Sequence, residues 1–351
     1  MTDDELLSRY RVLNESFSTP LIFHLGIDAG FFTEFSYMIH AMLFCLENHL
    51  QFNLYSKDAN FAYSKGWRDY FEPFCPEIED DFHHKWNVHR IPCWRNMLSA
   101  SFQQKSPKPF IWKCKNEYKA YVCRKYCKRL YGKNCRTTHD VLFVQRKRYL
   151  IPDLHIDGDY IAAYQTLART VWRLNPTTKV ACENLLNTLQ IPSPYMGIHI
   201  RGGDKITETS LVSPLVYAQI LKQQSSFNNV FLITDDYSNY TALCNQVEDF
   251  HWYTLCEPEE KGYVHTQFCS QQKEKKHLQM IRFLSQVEGA MHSSYFIGSI
   301  TCGLSLFLHK WFWPKNYTID CKHTEFPDIS CAPIKIRSKI AEDFRVNRGL
   351  I

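Results

Sequence analysis

Apolar runs and stretches of mixed polarity take turns along this chain, and the period of each predicts its backbone. Leu21-Ile22-Phe23-His24-Leu25 is a short apolar run, read as a strand, and Gly26, Asp28 and Gly30 punctuate the turn after it. From Phe35 to His49 the apolar residues (Phe35, Met38, Ile39, Met42, Leu43, Leu46) recur at helical spacing, which predicts an amphipathic helix. Gln51 to Tyr55 is a second strand, so the order is strand, glycine turn, helix, strand. That is a βαβ unit and implies parallel sheet. Asp159 to Arg173 predicts a helix that Asn175-Pro176 ends, because the residue before proline is pushed out of the α region. Thr177 or Thr178 can cap a further helix through Leu189, and Pro192-Ser193-Pro194 reads as a hinge.

The second half alternates in the same way. Tyr195 to Ile200 predicts a strand, Leu215 to Gln223 a helix, and Asn229 to Ile233 a fully apolar strand. His251 to Thr254 is a further strand, Lys276 to Val287 an amphipathic helix, and Tyr295 to Ser299 a last strand. The fold class expected is α/β. A chain of 351 residues exceeds one ordinary core, so two domains are expected, 1–191 and 192–351.

Composition narrows the partners. Hydrophobic residues at 45% and aromatics at 15% imply a globular, core-rich protein. The net charge of +5 suits a polyanionic small molecule such as a nucleotide diphosphate and does not demand nucleic acid. The acidic start, Met1-Thr2-Asp3-Asp4-Glu5, lacks the features of a signal peptide, and no run reaches the roughly 18 apolar residues of a membrane span. The expectation is a cytoplasmic protein, with the Golgi lumen an alternative only if the chain is truncated. Of the 14 cysteines, the densest group is Cys114, Cys123, Cys127 and Cys135, with spacings that fit no standard zinc template. Buried free thiols are the expectation; a disulfide or an unusual metal site within Cys114–Cys135 are the alternatives.

The basic stretch 105–148 reads as a solvated face, with an acidic acceptor or nucleic acid as the other readings. Its aromatics Trp112, Tyr118, Tyr121, Tyr126 and Tyr131 are expected to pack inward. Gly66 to Phe74 (G-W-R-D-Y-F-E-P-F) reads as a packed aromatic loop, with Trp67, Tyr70 and Phe71 structural.

The chemistry concentrates at 196–208, M-G-I-H-I-R-G-G-D-K-I-T-E. A buried strand carrying His199 delivers Arg201 to its C-terminal end, and then come Gly202-Gly203, Asp204, Lys205 and Glu208. Such a strand end with paired glycines is how α/β sheets build anion sites, the glycines allowing positive φ and close approach of backbone N–H groups. An ordinary Gly-Gly turn with charges facing water is the alternative. Asn229–Ile233 runs into Thr234-Asp235-Asp236, where an aspartate either meets a ligand at the strand end or caps the next helix. These adjacent aspartates are not a metal-holding D-x-D pair. Tyr295–Ser299 runs into Thr301-Cys302-Gly303, a turn at a helix N-terminus whose free N–H groups can meet an anion, a role in the fold alone being the alternative.

H-I-R-G-G-D-K resembles the H-x-R-R-x-D-K signature of the α1,6-fucosyltransferases, a family related to the rhizobial chitin-oligosaccharide fucosyltransferases and, more distantly, to the protein O-fucosyltransferases. Gly66–Phe74 is similar to that family's G-G-W-x-x-x-F-x-P segment, Thr234-Asp235-Asp236 to its strand-ending T-D-D, and Ile281 to Gln286 to its I-x-F-L-S-Q helix. The resemblance covers roughly 20–75 and 160–310, in the family's order. It implies a GT-B architecture, two Rossmann-like domains facing a central cleft, with the nucleotide mainly on 192–351 and the basic segment 105–148 an acceptor-side insertion. The implied activity is inverting, metal-independent transfer of fucose from GDP-fucose to the hydroxyl of a glycan or glycoprotein. The same machinery with UDP-xylose, and a non-catalytic sugar-nucleotide or glycan-binding protein, are the alternatives. Nucleic acid is not an expected partner, and no cofactor or metal is expected.

By the resemblance, Arg201 contacts the β-phosphate and Lys205 adds a second positive charge. The family's second arginine is replaced by Gly202. The family's glutamate four residues past the lysine falls on Thr209, with Glu208 one residue early. Glu208 is the first candidate base and Asp204 the second. His199 is expected beside the donor, where a histidine on an apolar strand packs and orients the strand end rather than acting as base. Gly202, Gly203, Asp235, Asp236, Ser299, Thr301, Cys302 and Gly303 are expected at the donor, and Gly30 on the cleft wall.

Overall fold

The computed structural model describes residues 2–26, 29–88, 94–142, 148–207, 209–223 and 227–321. It divides into two compact units, one comprising 1–158 and 162–173, the other 159–161 and Leu174 onward.

In the first unit, α1 (Asp3–Ser16) opens on a capping box: Thr2 accepts from the Glu5 amide while Glu5 reaches back to the Thr2 amide. β1 (Thr19–His24), α2 (Phe31–Glu47) and β2 (Leu50–Tyr55) form the βαβ unit expected, with β1 and β2 parallel and Leu21 opposite Phe52. Then come α3 (Asp81–Trp86), α4 (Trp94–Gln103), α5 (Lys108–Leu130) and β3 (Arg136–Thr137), which pairs with the free edge of β1. A hairpin, β4 (Tyr149–Ile151) and β5 (Ile156–Gly158), precedes α6 (Tyr160–Val171). Trp67, Tyr70 and Phe71 are buried, and Trp67 stacks on Phe71 with ring centroids 4.2 Å apart. That segment is core, as its aromatic density implied.

The basic helix α5 departs from expectation. Trp112, Tyr118 and Tyr121 are 47%, 61% and 51% exposed. The buried stripe is Lys113, Ala120, Cys123 and Cys127, so the thiols and not those three aromatics face inward. Tyr126 does stack on Phe82 of α3, and Tyr131 packs near the thiols.

In the second unit, α7 (Pro176–Asn187) is capped by Asn175, whose side chain accepts from the Thr178 amide. The residue expected to stop one helix therefore starts the next, with Pro176 at the first helical position, where its missing N–H costs nothing. β6 (Met196–Ile200), α8 (Pro214–Leu221), β7 (Asn229–Thr234), α9 (Tyr237–Gln246) and β8 (His251–Tyr253) follow. Then come α10 (His265–Ser270), α11 (Lys273–Met291), β9 (Tyr295–Gly298), α12 (Gly303–Phe312) and β10 (Asn316–Thr318). The units divide at Arg173–Leu174, upstream of the boundary expected at 192, because α7 packs along α11 and so shares the second core.

Among the described residues this unit has five strands, all parallel, in the order β10-β9-β6-β7-β8. Counted from β6 and read from the β8 edge, that is 3-2-1-4-5, the doubly wound order. Met196, Ile198, Ile200, Val230, Leu232 and Ile297 form the buried heart of the sheet. No helix among the described residues is long and apolar enough to cross a membrane.

Candidate functional site

In a doubly wound sheet the chain leaves neighbouring strands in opposite directions at one place, and the crevice opened there, beyond the carboxyl ends, takes ligands. Here that place lies between β6 and β9, which are paired with His199 opposite Gly298. The residues that follow are Arg201-Gly202-Gly203 on one side and Ser299 to Gly303 on the other. The two segments leave the sheet roughly 5 Å apart, the spacing of paired strands. Strand order thus brings together the two stretches that the sequence marked separately as anion sites.

On the β6 side Arg201 is the centre of a knot. Its Nη2 lies 2.6 Å from Asp204 Oδ1, its Nη1 is paired with Asp235 Oδ2, and its guanidinium lies over the Tyr263 ring at 5.1 Å. Asp235, at the end of β7, also accepts from the Gly202 amide at 2.6 Å and the Tyr263 amide at 2.7 Å. Asp204 accepts from the His265 amide at 2.7 Å, and its own amide donates to the Tyr263 carbonyl at 2.9 Å. The sequence suggests a cation awaiting phosphate; the structure holds one already answered by two carboxylates. The knot is not sealed, as 17% of the arginine side chain stays exposed, with 29% and 21% of its partners'. An arginine has five N–H donors, so two carboxylates leave part of the fork for a further anion.

The paired glycines serve this knot before any ligand. Gly203 has φ +58, and a Cβ there would stand 2.1 Å from the Tyr263 carbonyl oxygen. Gly262 has φ +100, and its Cβ would stand 2.5 Å from the Gly203 Cα. Two chain segments cross backbone on backbone at a pair of glycines. The Gly202 amide, expected at a phosphate, is spent on Asp235. A Cβ at 202 would lie 3.1 Å from the Asp236 Cβ, so an arginine there, as in the resembled signature, would crowd both aspartates.

On the β9 side, Ser299 Oγ donates to the buried carboxylate of Asp320 and lies 2.7 Å from Thr301 Oγ1. Asp320 also accepts from the Ile300 amide at 2.8 Å. The turn is therefore fixed from beneath. Cys302 is the N-cap of α12 and accepts from the Ser305 amide, and Gly303 begins the helix. His199 Nδ1 lies 2.6 Å from Ser305 Oγ and 3.6 Å from Cys302 Sγ, so this buried histidine ties the end of β6 to the first turn of α12. Burial pushes the Cys302 thiol up, but the charge and hydrogen bond of His199 and the bonds from Ser305 outweigh it and bring the thiol down to about 6. The α12 N-terminus thus favours negative charge, as a helix start does.

Other expected residues lie apart. Asp236 caps α9, accepting from the Ser238 amide at 3.0 Å, so of the two aspartates one serves the site and its neighbour the helix. Asp204, the second candidate base, has both oxygens engaged, which makes it a holder of Arg201 more than a proton acceptor. Lys205 is half-buried in a short helical turn. Glu208 lies outside the described residues. Gly30 belongs to the first unit, at the start of α2, with φ −68 and open space where a Cβ would point, so nothing there requires glycine. The glycine that its turn needs is Gly26, at φ +114 against the Asp58 carbonyl.

Tyr263, Gly262 and Asp320 escaped the sequence reading, as did Arg282. Arg282 on α11 pairs with Glu257 and Glu260, fastening the loop that carries Tyr263. A signal existed in K-G-Y at 261–263, a glycine before an aromatic in a polar loop, but nothing local linked it to β6.

Both α/β units are Rossmann-like, and the fold is of the GT-B type. Within it the chain is similar to the crystal structure of NodZ α-1,6-fucosyltransferase soaked with GDP-fucose, with TM-score 0.50 and 13% identity over 84% of this chain and 92% of that one. It is equally similar to the fucosyltransferase NodZ from Bradyrhizobium, with TM-score 0.50 and 12% identity over 83% and 91%. A weaker likeness is to Arabidopsis thaliana FUT1 in complex with GDP, with TM-score 0.48 and 7% identity over 90% and 74%. No protein-family model matches the chain, and no curated protein matches it by sequence. The fold therefore agrees with the resemblance read from H-I-R-G-G-D-K.

Proposed function

We propose that this protein is a glycosyltransferase that takes its sugar from a nucleotide diphosphate, with GDP-fucose the first donor to test and a glycan hydroxyl the acceptor. The observation that carries the proposal is the convergence, at the switch point of a doubly wound sheet, of Arg201 from β6 with the hydroxyls and helix N-terminus that follow β9. The GT-B fold supports the same reading.

The chemistry required is a displacement at the anomeric carbon. The acceptor oxygen bonds to that carbon, the bond to the β-phosphate oxygen breaks, and its electron pair leaves with the diphosphate. Charge growing on the leaving group is met by the free part of the Arg201 fork and by the first amides of α12, with the Thr301 hydroxyl turning from Ser299 to join them. Such preorganised donors are usually the largest catalytic term. Asp204, Asp235 and Tyr263 hold the guanidinium in place, so little reorganisation accompanies ligand entry. The acceptor proton is assigned to Glu208. One displacement inverts the anomeric centre, and this clamp performs it without a catalytic metal.

A second reading, a sugar-nucleotide-binding protein without transferase activity, is favoured by one feature: Arg201 is already doubly paired. The test begins with thermal shifts for GDP-fucose, GDP-mannose, UDP-xylose and UDP-glucose, with and without EDTA. A donor at 100 times its Kd stabilises by about 2.7 kcal/mol. Donor hydrolysis is then measured in wild type and Arg201→Ala. Stabilisation by one donor, with hydrolysis that Arg201→Ala lowers at least tenfold, is expected. Stabilisation without turnover selects the second reading. No response to any sugar nucleotide ends both.

A further inference from the structure

Far along the sequence from this site, the first unit buries a cluster of soft ligands for which transfer chemistry has no use. His24 Nε2, at the end of β1, lies 2.9 Å from His83 Nδ1 on α3, and Cys123 Sγ on α5 lies 3.8 Å from His24 Nε2. The three ligating atoms all fall within 4.8 Å of one another. Cys127 stands one helical turn beyond Cys123 on the same face, and it is buried in one cluster with Cys123 and Cys135. His24, His83, Cys123 and Cys127 are 4%, 0%, 3% and 0% exposed, packed among Ile22, Tyr55, Ile78, Phe82 and Trp86.

The outer ring nitrogens are also held. His24 Nδ1 lies 3.1 Å from Thr138 Oγ1, which already accepts the His24 amide and directs its own proton toward the Ile22 carbonyl. That arrangement puts the His24 proton on Nδ1 and leaves the Nε2 lone pair facing the cluster. His83 Nε2 lies 3.4 Å from the Tyr131 hydroxyl. Imidazoles pinned at the far nitrogen by a hydrogen-bond partner are the arrangement of metal-ligating histidines. Two inward nitrogens at this distance need a proton or a cation between them.

We propose that His24, His83, Cys123 and Cys127 form a structural zinc site that ties β1, α3 and α5 together. Two thiolates and two imidazoles are a closed tetrahedral zinc set. Ligand atoms about 2.0–2.3 Å from a tetrahedral zinc stand roughly 3.3–3.8 Å apart, near the 2.9 and 3.8 Å of the His24–His83 and His24–Cys123 pairs. Cys127, one turn along α5, would turn its thiol in as the fourth ligand. Loading releases one proton from each thiol to solvent, so Zn²⁺ and two thiols become one neutral zinc dithiolate and two protons. A thiol–disulfide relay would use the cysteines alone and would leave two pinned imidazoles unexplained.

The test uses the full chain, purified without a polyhistidine tag or chelator and dialysed exhaustively. Elemental analysis should find about one zinc per chain, as for a closed structural site. Chelator-stripped protein titrated with Zn²⁺ alone should recover that zinc, release about two protons per ion and rise in melting temperature. Co²⁺ in its place should give thiolate charge-transfer and tetrahedral ligand-field bands. The Cys123→Ser/Cys127→Ser double variant should lose the zinc, whereas Cys114→Ser, an exposed thiol on the same helix, should keep it. Wild-type protein that neither carries zinc nor responds to Zn²⁺ overturns the proposal even if the double variant fails to fold. So does zinc retained by a folded double variant, or a disulfide among Cys123, Cys127 and Cys135 in the metal-free purified chain. None of these readouts depends on sugar-nucleotide binding.

Discussion

Replacing Gly203 with alanine probes the knot around Arg201 where it is least able to yield. The residue sits at φ +58, which costs an alanine about 1–2 kcal/mol. The new methyl would also stand 2.1 Å from the Tyr263 carbonyl oxygen and 2.5 Å from its amide nitrogen. Both are backbone atoms, so the 262–263 segment must move as a whole. Moving it loosens the hydrogen bond that the Asp204 amide donates to the Tyr263 carbonyl and the one that the Tyr263 amide donates to the Asp235 carboxylate. A neutral bond contributes about 0.5–1.5 kcal/mol and one to a charged group about 1.5–3. The sum, about 3–6 kcal/mol, is a large part of a domain's usual 5–15. For a unit of this size it lowers the melting temperature by roughly 6–24 °C. Gly30→Ala is the comparison: φ −68 and open space predict a change within about 1 kcal/mol. Thermal and urea unfolding of both variants, followed by GDP-fucose titration of each folded protein, supply the measurement. Equal midpoints for the two would refute the crossing of glycines as the device that shapes the site. A Gly203→Ala protein that melts early but binds donor normally would separate that device from function.

The adjacent aspartates should part company. Asp236→Ala removes a helix cap and costs about 1 kcal/mol with donor affinity unchanged, whereas Asp235→Ala frees Arg201 and the Gly202 amide and weakens donor binding in calorimetry. The Cys302 thiol, held at about 6 in the folded chain, stabilises fully above its ordinary value near 9, and that gain is lost as pH falls toward 6. Cys302→Ser, still a good cap, should flatten the stability profile between those limits; an unchanged slope counts against the His199 contact. Glu77 runs the other way. Burial lifts its carboxyl to about 7 against the pull of Arg68, so stability falls as pH rises from about 4.5 through 7. Glu77→Gln should remove that fall in a pH series of urea midpoints, and a steeper fall would contradict the assignment.

Much of the order of strands and helices is legible from local pattern, because period along one element reports which of its faces is buried, while α3, α4 and the short strands β3, β4, β5 and β10 carry no such signal. The apolar runs at Leu21, Met196, Asn229 and Tyr295 all became parallel strands, and the aromatic segment after Gly66 became core. Periodicity also exposed the two strand ends where Arg201 and Ser299 wait. On α5 it misled, since aromatic and thiol stripes compete on one basic helix, and only packing against α3 and β1 chose the thiols. What the chain order could not carry was partnership across distance. Arg201 meets Asp235 and Tyr263 because β7 lies beside β6 and the loop after β8 folds back over Gly203. His24, His83 and Cys123 converge for the same kind of reason, from a strand and two helices with no short spacing between them. A side chain's neighbours at a strand end depend on which strand lies alongside. That choice is made by the crossovers and the core they bury, and so belongs to the tertiary structure.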